Sequence, residues 1–157
     1  MSRRAIYKAL FDLLSPVAEF KVKSRRLKHW TDVPPEMQPA FFMVENDESP
    51  EQRERAPAKW TLAADLHIYT NAGGDPDAVA IDNVEDLPSD VISDIIDAIE
   101  AAISPPPGQE LQTLGGLVKH CWIAGKVMRD AGVLGPQSVA IVPIEMLLIS
   151  KGRKSGT

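Results

Sequence analysis

Asp65 and His67 sit two residues apart, and His120 is followed directly by Cys121, so a base, an orienting carboxylate and a thiol are all present. Brought together, they would be the parts of a thiol hydrolase, with the imidazole activating the sulfur and the carboxylate holding the ring. The spacing matches no nucleophile signature. Cys121 also falls in the apolar run LVKHCWIAGKVM, where cysteine packs as a small hydrophobe. Asp75 and Asp77, with Asn71 nearby, offer hard oxygen ligands to a divalent cation, but no full EF-hand spacing occurs and turn chemistry accounts for the same residues. Gly115 and Gly116 make no phosphate loop, since neither GxxxxGK[ST] nor GxGxxG is present. The last chemical set is basic. Lys21, Lys23, Arg25, Arg26 and Lys28 precede Trp30, and cations beside an aromatic could hold phosphate and stack a base. The competing reading is a solvated or subunit-facing basic strand, which the net charge of −5 and the lack of a helix-turn-helix or zinc motif favour.

The elements that must position these residues follow from periodicity. Ser2 to Leu14 places Ile6, Leu10, Leu13 and Leu14 at helical spacing, and Pro16 stops the helix. Phe20 to Trp30 reads as an extended basic segment. Pro34, Pro35 and Pro39 then break the chain before a short strand, Ala40 to Glu45 (AFFMVE). Asn46 to Lys59 is polar, mixed in charge and carries Pro50 and Pro57, which predicts a long exposed loop. Trp60 to Tyr69 alternates as a half-buried strand does, and Asn71 to Pro76 supplies a turn. From Ser89 to Ile103 the isoleucines at 92, 95, 96, 99 and 103 form one stripe while Asp86, Asp90, Asp94 and Asp97 recur opposite, and Pro105 to Pro107 end the helix. Leu117 to Met128 and Gln137 to Ile149 predict two further strands. The last is apolar on both faces, with helices expected on one side and another subunit on the other. Pro143 inside it points to a sheet edge or a bulge. The expected fold is α+β: two main helices on a mainly antiparallel sheet of about four to five strands, in the order α-β-β-β-α-β-β. Residues 1–150 are expected to form a single domain and 151–157 a flexible tail.

Composition sets the setting. The 157 residues are 44% hydrophobic and 25% charged, which suits one folded domain with a core and excludes a wholly disordered chain. Cys121 is the only cysteine, so no intrachain disulfide forms and a cysteine-based zinc site lacks ligands. No apolar run reaches membrane-spanning length, and no signal peptide is evident at the start, so the expected site is cytosolic with no membrane partner. Charge is unevenly distributed. Residues 1–30 hold eight Lys and Arg against two Asp and Glu, residues 61–110 hold eleven acids and no Lys or Arg, and residues 111–157 return to six basic against two acidic. Such segregation favours partners, or copies of the chain, that meet through unlike patches, unless folding intermixes the charges.

Several strings resemble tail terminator (tail completion, minor tail protein U-like) proteins of long-tailed bacteriophages. They are the opening RRAIYKALFDLL, the strand WTLAADLHIYT, the helix VISDIIDAIEAAI, and LQTLGGLVKHCWIAGKV. The likeness spans nearly the whole chain. Its most characteristic part is the helix, the proline-rich break and Thr113, Leu114, Gly115 and Gly116, followed later by QSVAIVPIEMLLI. The resemblance implies a structural subunit, not an enzyme, with no cofactor and no metal. It implies a hexameric ring at the end of the tail tube that stops polymerisation and presents a surface to the head connector. Its partners would be copies of itself, the tube protein and a connector or neck protein, with DNA passing through unbound. Assembly would occur in the host cytoplasm and the mature location would be the tail-neck junction. Within that frame, Arg25, Arg26, Lys28, Trp30, Arg53 and Arg55 are candidates for subunit or tube contacts. Asp86, Asp90, Asp94 and Asp97 are candidates for a lumen wall or an interface. A neck or head-closure protein is the alternative in the same setting, and a small cytosolic enzyme using Asp65, His67, His120 or Cys121 is the alternative of another class.

Overall fold

The computed structural model describes residues 2–71, 88–130 and 137–150. Helix α1 (Arg3–Leu14) starts where the Ser2 hydroxyl accepts the Ala5 amide at 3.2 Å, and it buries Ile6, Tyr7, Leu10 and Leu14. Helix α2 (Pro88–Ile103) buries Ile92, Ile95, Ile99 and Ile103 at helical spacing. Both helices lie on one face of a sheet of seven strands: β1 (Val22–Ser24), β2 (Ala40–Glu45), β3 (Ser49–Arg53), β4 (Ala56–Asn71), β5 (His120–Ile123), β6 (Met128–Asp130) and β7 (Gln137–Ile149). The path across the sheet is β1-β2-β4-β7-β5, with β3 on β4 and β6 on β7.

The class is therefore α+β as expected, but the element order is α-β-β-β-β-α-β-β-β and the sheet is mixed, because β1 runs parallel to β2. Three features account for the difference. First, the expected loop Asn46 to Lys59 is mostly strand. β3 pairs with the start of β4 through Ser49↔Thr61 and Glu51↔Lys59, so β2, β3 and β4 form one long hairpin interrupted at residues 46–48. The interruption turns Glu48 back onto α1, where its carboxylate accepts from Arg3 Nε at 2.7 Å and from the Tyr7 hydroxyl at 3.0 Å.

Second, the expected strand Leu117 to Met128 divides into β5 and β6, with Gly125 at φ +88° turning the chain between them. Third, Pro143 is neither at a sheet edge nor in a bulge of its own strand. It lies inside β7, the strand between β4 and β5, opposite Asp65. Its carbonyl accepts the Ala124 amide at 2.9 Å, so the side of Pro143 without an N–H faces the place where β5 departs from the sheet. The ladder to β4 loses nothing there, since neighbouring residues carry its bonds.

Alternation along β7 sends Ala140, Val142, Ile144, Met146 and Leu148 under the helices, while Val139, Ile141, Pro143, Glu145 and Leu147 are half-buried on the other face. A strap at residues 25–39 covers one end of that outer face. There Val33 packs with Ala40, Phe42 and Tyr69, the Tyr69 hydroxyl donates to the Lys28 carbonyl at 2.8 Å, and Gln38 Nε2 donates to the Val33 carbonyl. Among the described residues no helix is long and apolar enough to cross a membrane.

Candidate functional site

The hydrolase parts do not assemble. Asp65 and His67 stand on the outer face of β4, where Asp65 accepts from Asn46 Nδ2 at 2.9 Å. His120 is on the same face two strands away, opposite Leu147, and its Nδ1 accepts the Gln112 amide. Cys121 points the other way, opposite Met146 in the core beneath α2, with 1% of its surface exposed. The sheet separates the thiol from Asp65 and His67, and His120, although it borders the same groove as Cys121, points to the opposite face of β5. Burial lowers the His67 pKa from its usual range, with Asp65 opposing the shift, so His67 is held neutral and stability declines as pH falls below about 6.5. Asp75 and Asp77 lie outside the described residues, and among the described residues no three His, Cys, Asp or Glu side chains converge on a point that could hold a metal.

Burial also pushes the Cys121 thiol up to about 12 from 9.0. Native protein is therefore expected to resist iodoacetamide at pH 8 and to react fully once unfolded, as mass spectrometry would record. The same shift fixes a sign: between pH 9 and 12 the unfolded thiol ionises and the folded one does not, so stability falls as pH rises. Tyr7 and Tyr69, both raised by burial, add to the loss above about pH 10. The urea midpoint at pH 10.5 should lie below that at pH 8. Cys121→Ala should cost about 1–3 kcal/mol through lost packing alone.

The basic candidates gather at the β1 side. Arg25 is ion-paired with Glu45 at the end of β2, and the Arg26 and Lys28 side chains are exposed as the strap rises from β1. Trp30 is 47% exposed in the strap, its ring tilted against that of His29 with centroids 5.3 Å apart. Arg53 and Arg55 are separate from these, at the exposed tip of the β3–β4 hairpin, where Arg53 donates to the Pro57 carbonyl and Arg55 takes a left-handed backbone with φ +60°. Asp90, Asp94 and Asp97 line the exposed side of α2, and Asp86 lies outside the described residues. Arg129 of β6 fastens the start of that helix, donating to the Ser89 carbonyl and the Ser93 hydroxyl at 2.9 Å each.

A groove of about 500 Å³ opens at the opposite edge of the sheet, between the C-terminal half of α2 and β5. Ile96, Ile103, Ile123 and Val127 contribute its apolar floor, with Glu100 and Glu110 at its rim. No single sequence motif marks it, because its two glutamates flank the proline run and border one groove only once α2 packs on β5. The turn beside it is built around Gln112, whose amide group donates to the Ser104 carbonyl at 3.1 Å and accepts the Leu114 amide at 3.2 Å. That arrangement holds Leu114, Gly115 and Gly116 in three successive left-handed conformations, φ +50°, +70° and +89°, which explains the paired glycines better than a phosphate site does. No protein-family model matches the chain, and no curated protein matches it.

Proposed function

We propose that the chain is a structural subunit of a long-tailed phage virion. Copies of it close into a ring on the end of the tail tube, stop tube polymerisation and present the surface that receives the head. The observation that carries this reading is an unlike pair of surfaces: exposed cations rise from the β1 edge, while α2 exposes Asp94, Asp97 and Glu100 and lines a groove with β5, which exposed Lys119 and Lys126 flank. A ring joins two different patches of the same chain at every contact, and a subunit with unlike edges suits that symmetry. The resemblance of RRAIYKALFDLL, VISDIIDAIEAAI and the LQTLGG segment to tail terminator proteins supports the same reading. The partners would be the tube protein below and a connector or neck protein above, with DNA crossing the bore without specific binding.

Light scattering after size exclusion, joined to an in vitro tail-completion assay, tests the proposal. A ring-sized particle that halts tube growth supports it. A monomer that leaves tube length unchanged ends it, and a ring that binds only head particles moves the chain to the neck. Arg25→Glu with Arg26→Glu should weaken assembly yet shift Tm by no more than about 4 °C, because an exposed pair adds only ~0–1 kcal/mol. Added salt should weaken wild-type assembly by screening the same charges. Neutralising Asp94 and Asp97 separates two roles for the α2 acids: loss of the ring makes them a contact, whereas an intact ring with poor DNA delivery makes them a channel wall.

A further inference from the structure

Among the described residues, large apolar side chains that remain exposed fall mostly in two segments. Leu27, Trp30 and Met37 are 43%, 47% and 42% exposed along the strap, and Leu111 and Leu117 are exposed in the segment that leads into β5. Scattered single residues of this kind are ordinary surface. Here three of them share the strap, which rises from one edge of the sheet, and Leu111 follows Glu110 of the groove at the other edge, since β1 and β5 end the strand path. The accompanying charges are opposite as well. The strap carries Arg26 and Lys28 beside Leu27, all exposed, with Lys21 and Lys23 at its foot and the acids Asp32 and Glu36 at its far end. The α2–β5 groove has an apolar floor, glutamates at 100 and 110, and no Lys or Arg among the residues that line it. Neither surface is self-complementary, but each supplies what the other lacks.

We propose that the strap of one copy, led by Leu27 between Arg26 and Lys28, seats in the α2–β5 groove of the next copy. Leu27 covers the apolar floor, and the two cations meet Glu100 and Glu110 at the rim. The contact is head to tail, so an open series of copies keeps one free strap at one end and one free groove at the other until it closes on itself. This rests on the ring reading for closure, but it commits to the surfaces that touch.

Two charge-reversed variants test it, Arg26→Glu with Lys28→Glu and Glu100→Lys with Glu110→Lys. All four positions are exposed, so both variants should melt as the wild type does. Each alone should run at monomer mass, because its own strap and groove now repel. Mixed in equal amounts, they should recover the wild-type particle mass, since every contact in an alternating ring again joins unlike charges. The neutral variants, Arg26→Gln with Lys28→Gln and Glu100→Gln with Glu110→Gln, should each weaken assembly, and mixing them should restore the charged contact at only every second junction, giving mixed dimers short of the wild-type particle. A wild-type ring that persists in both reversed variants overturns this contact and leaves the ring reading standing. Reversed variants that stay monomeric when mixed also overturn the contact. A wild type that never exceeds monomer mass removes the ring reading and this contact together.

Discussion

Phe41→Ala is expected to remove about 3–5 kcal/mol of stability, the range for truncating a fully buried phenylalanine. Phe41 lies in β2 with no exposed surface, and its ring meets Phe20 at 5.1 Å and Phe11 at 5.8 Å between centroids. Its truncation empties the place where α1, the turn after it and the sheet converge. Tm should fall by roughly 6–20 °C for a chain of this size. Leu27→Ala is the matched control, because Leu27 is exposed in the single chain and its loss should move unfolding by no more than ~0.5 kcal/mol. Urea unfolding of the monomer measures both. A Phe41 variant within 1 kcal/mol of wild type, by the same scale, would mean that the three rings do not share one core.

The second large effect contrasts neighbouring positions in β7. Val142→Pro should destabilise severely, whereas Pro143→Val should be close to neutral. Val142 is opposite Leu66, in a pair that the register makes hydrogen-bonded, since Ser150 donates to Ala58 an even number of residues along the same ladder. A proline there leaves the Leu66 carbonyl without its donor, at about 1–3 kcal/mol, and forces its ring against the neighbouring strand. At position 143 the missing N–H faces the departure of β5, so restoring it satisfies nothing that was broken. Thermal melting of the two variants decides the point, and equal losses would show that the proline is there for another reason.

That contrast also shows what the sequence could express. Helix α2, the core of β4 and the alternation of β7 are legible because each buries one face, and burial writes a period into the residue types. Ser49 to Arg53 gives no such signal: all five residues are exposed, so the strand is held by backbone pairing to β4 and carries no apolar alternation. The division of β5 from β6 was likewise hidden, since its cause is a glycine conformation and a proline in a strand distant in sequence. The same limit applies to the site. Arg26 and Lys28 stand out in a basic run, but Glu100 and Glu110 come to border one groove only through packing across the proline break.

The pairing of β4 with β7 runs from Lys59↔Ile149 to Asn71↔Gln137, and every partner of β4 in β7 comes after α2, β5 and β6 in the chain. During synthesis, the β2–β4 hairpin therefore emerges well before the strand that completes it. Until then Leu62, Leu66 and Ile68 sit on a strand whose other edge is unpaired. Closing such a long chain segment must precede the reward of thirteen paired residues in β7, so folding should be slow for the chain's size, on a millisecond-to-second scale. A nascent chain arrested before Gln137 would expose that strand edge to other copies. On the proposed ring reading, the subunit would then depend on finishing its own sheet before it meets a neighbour.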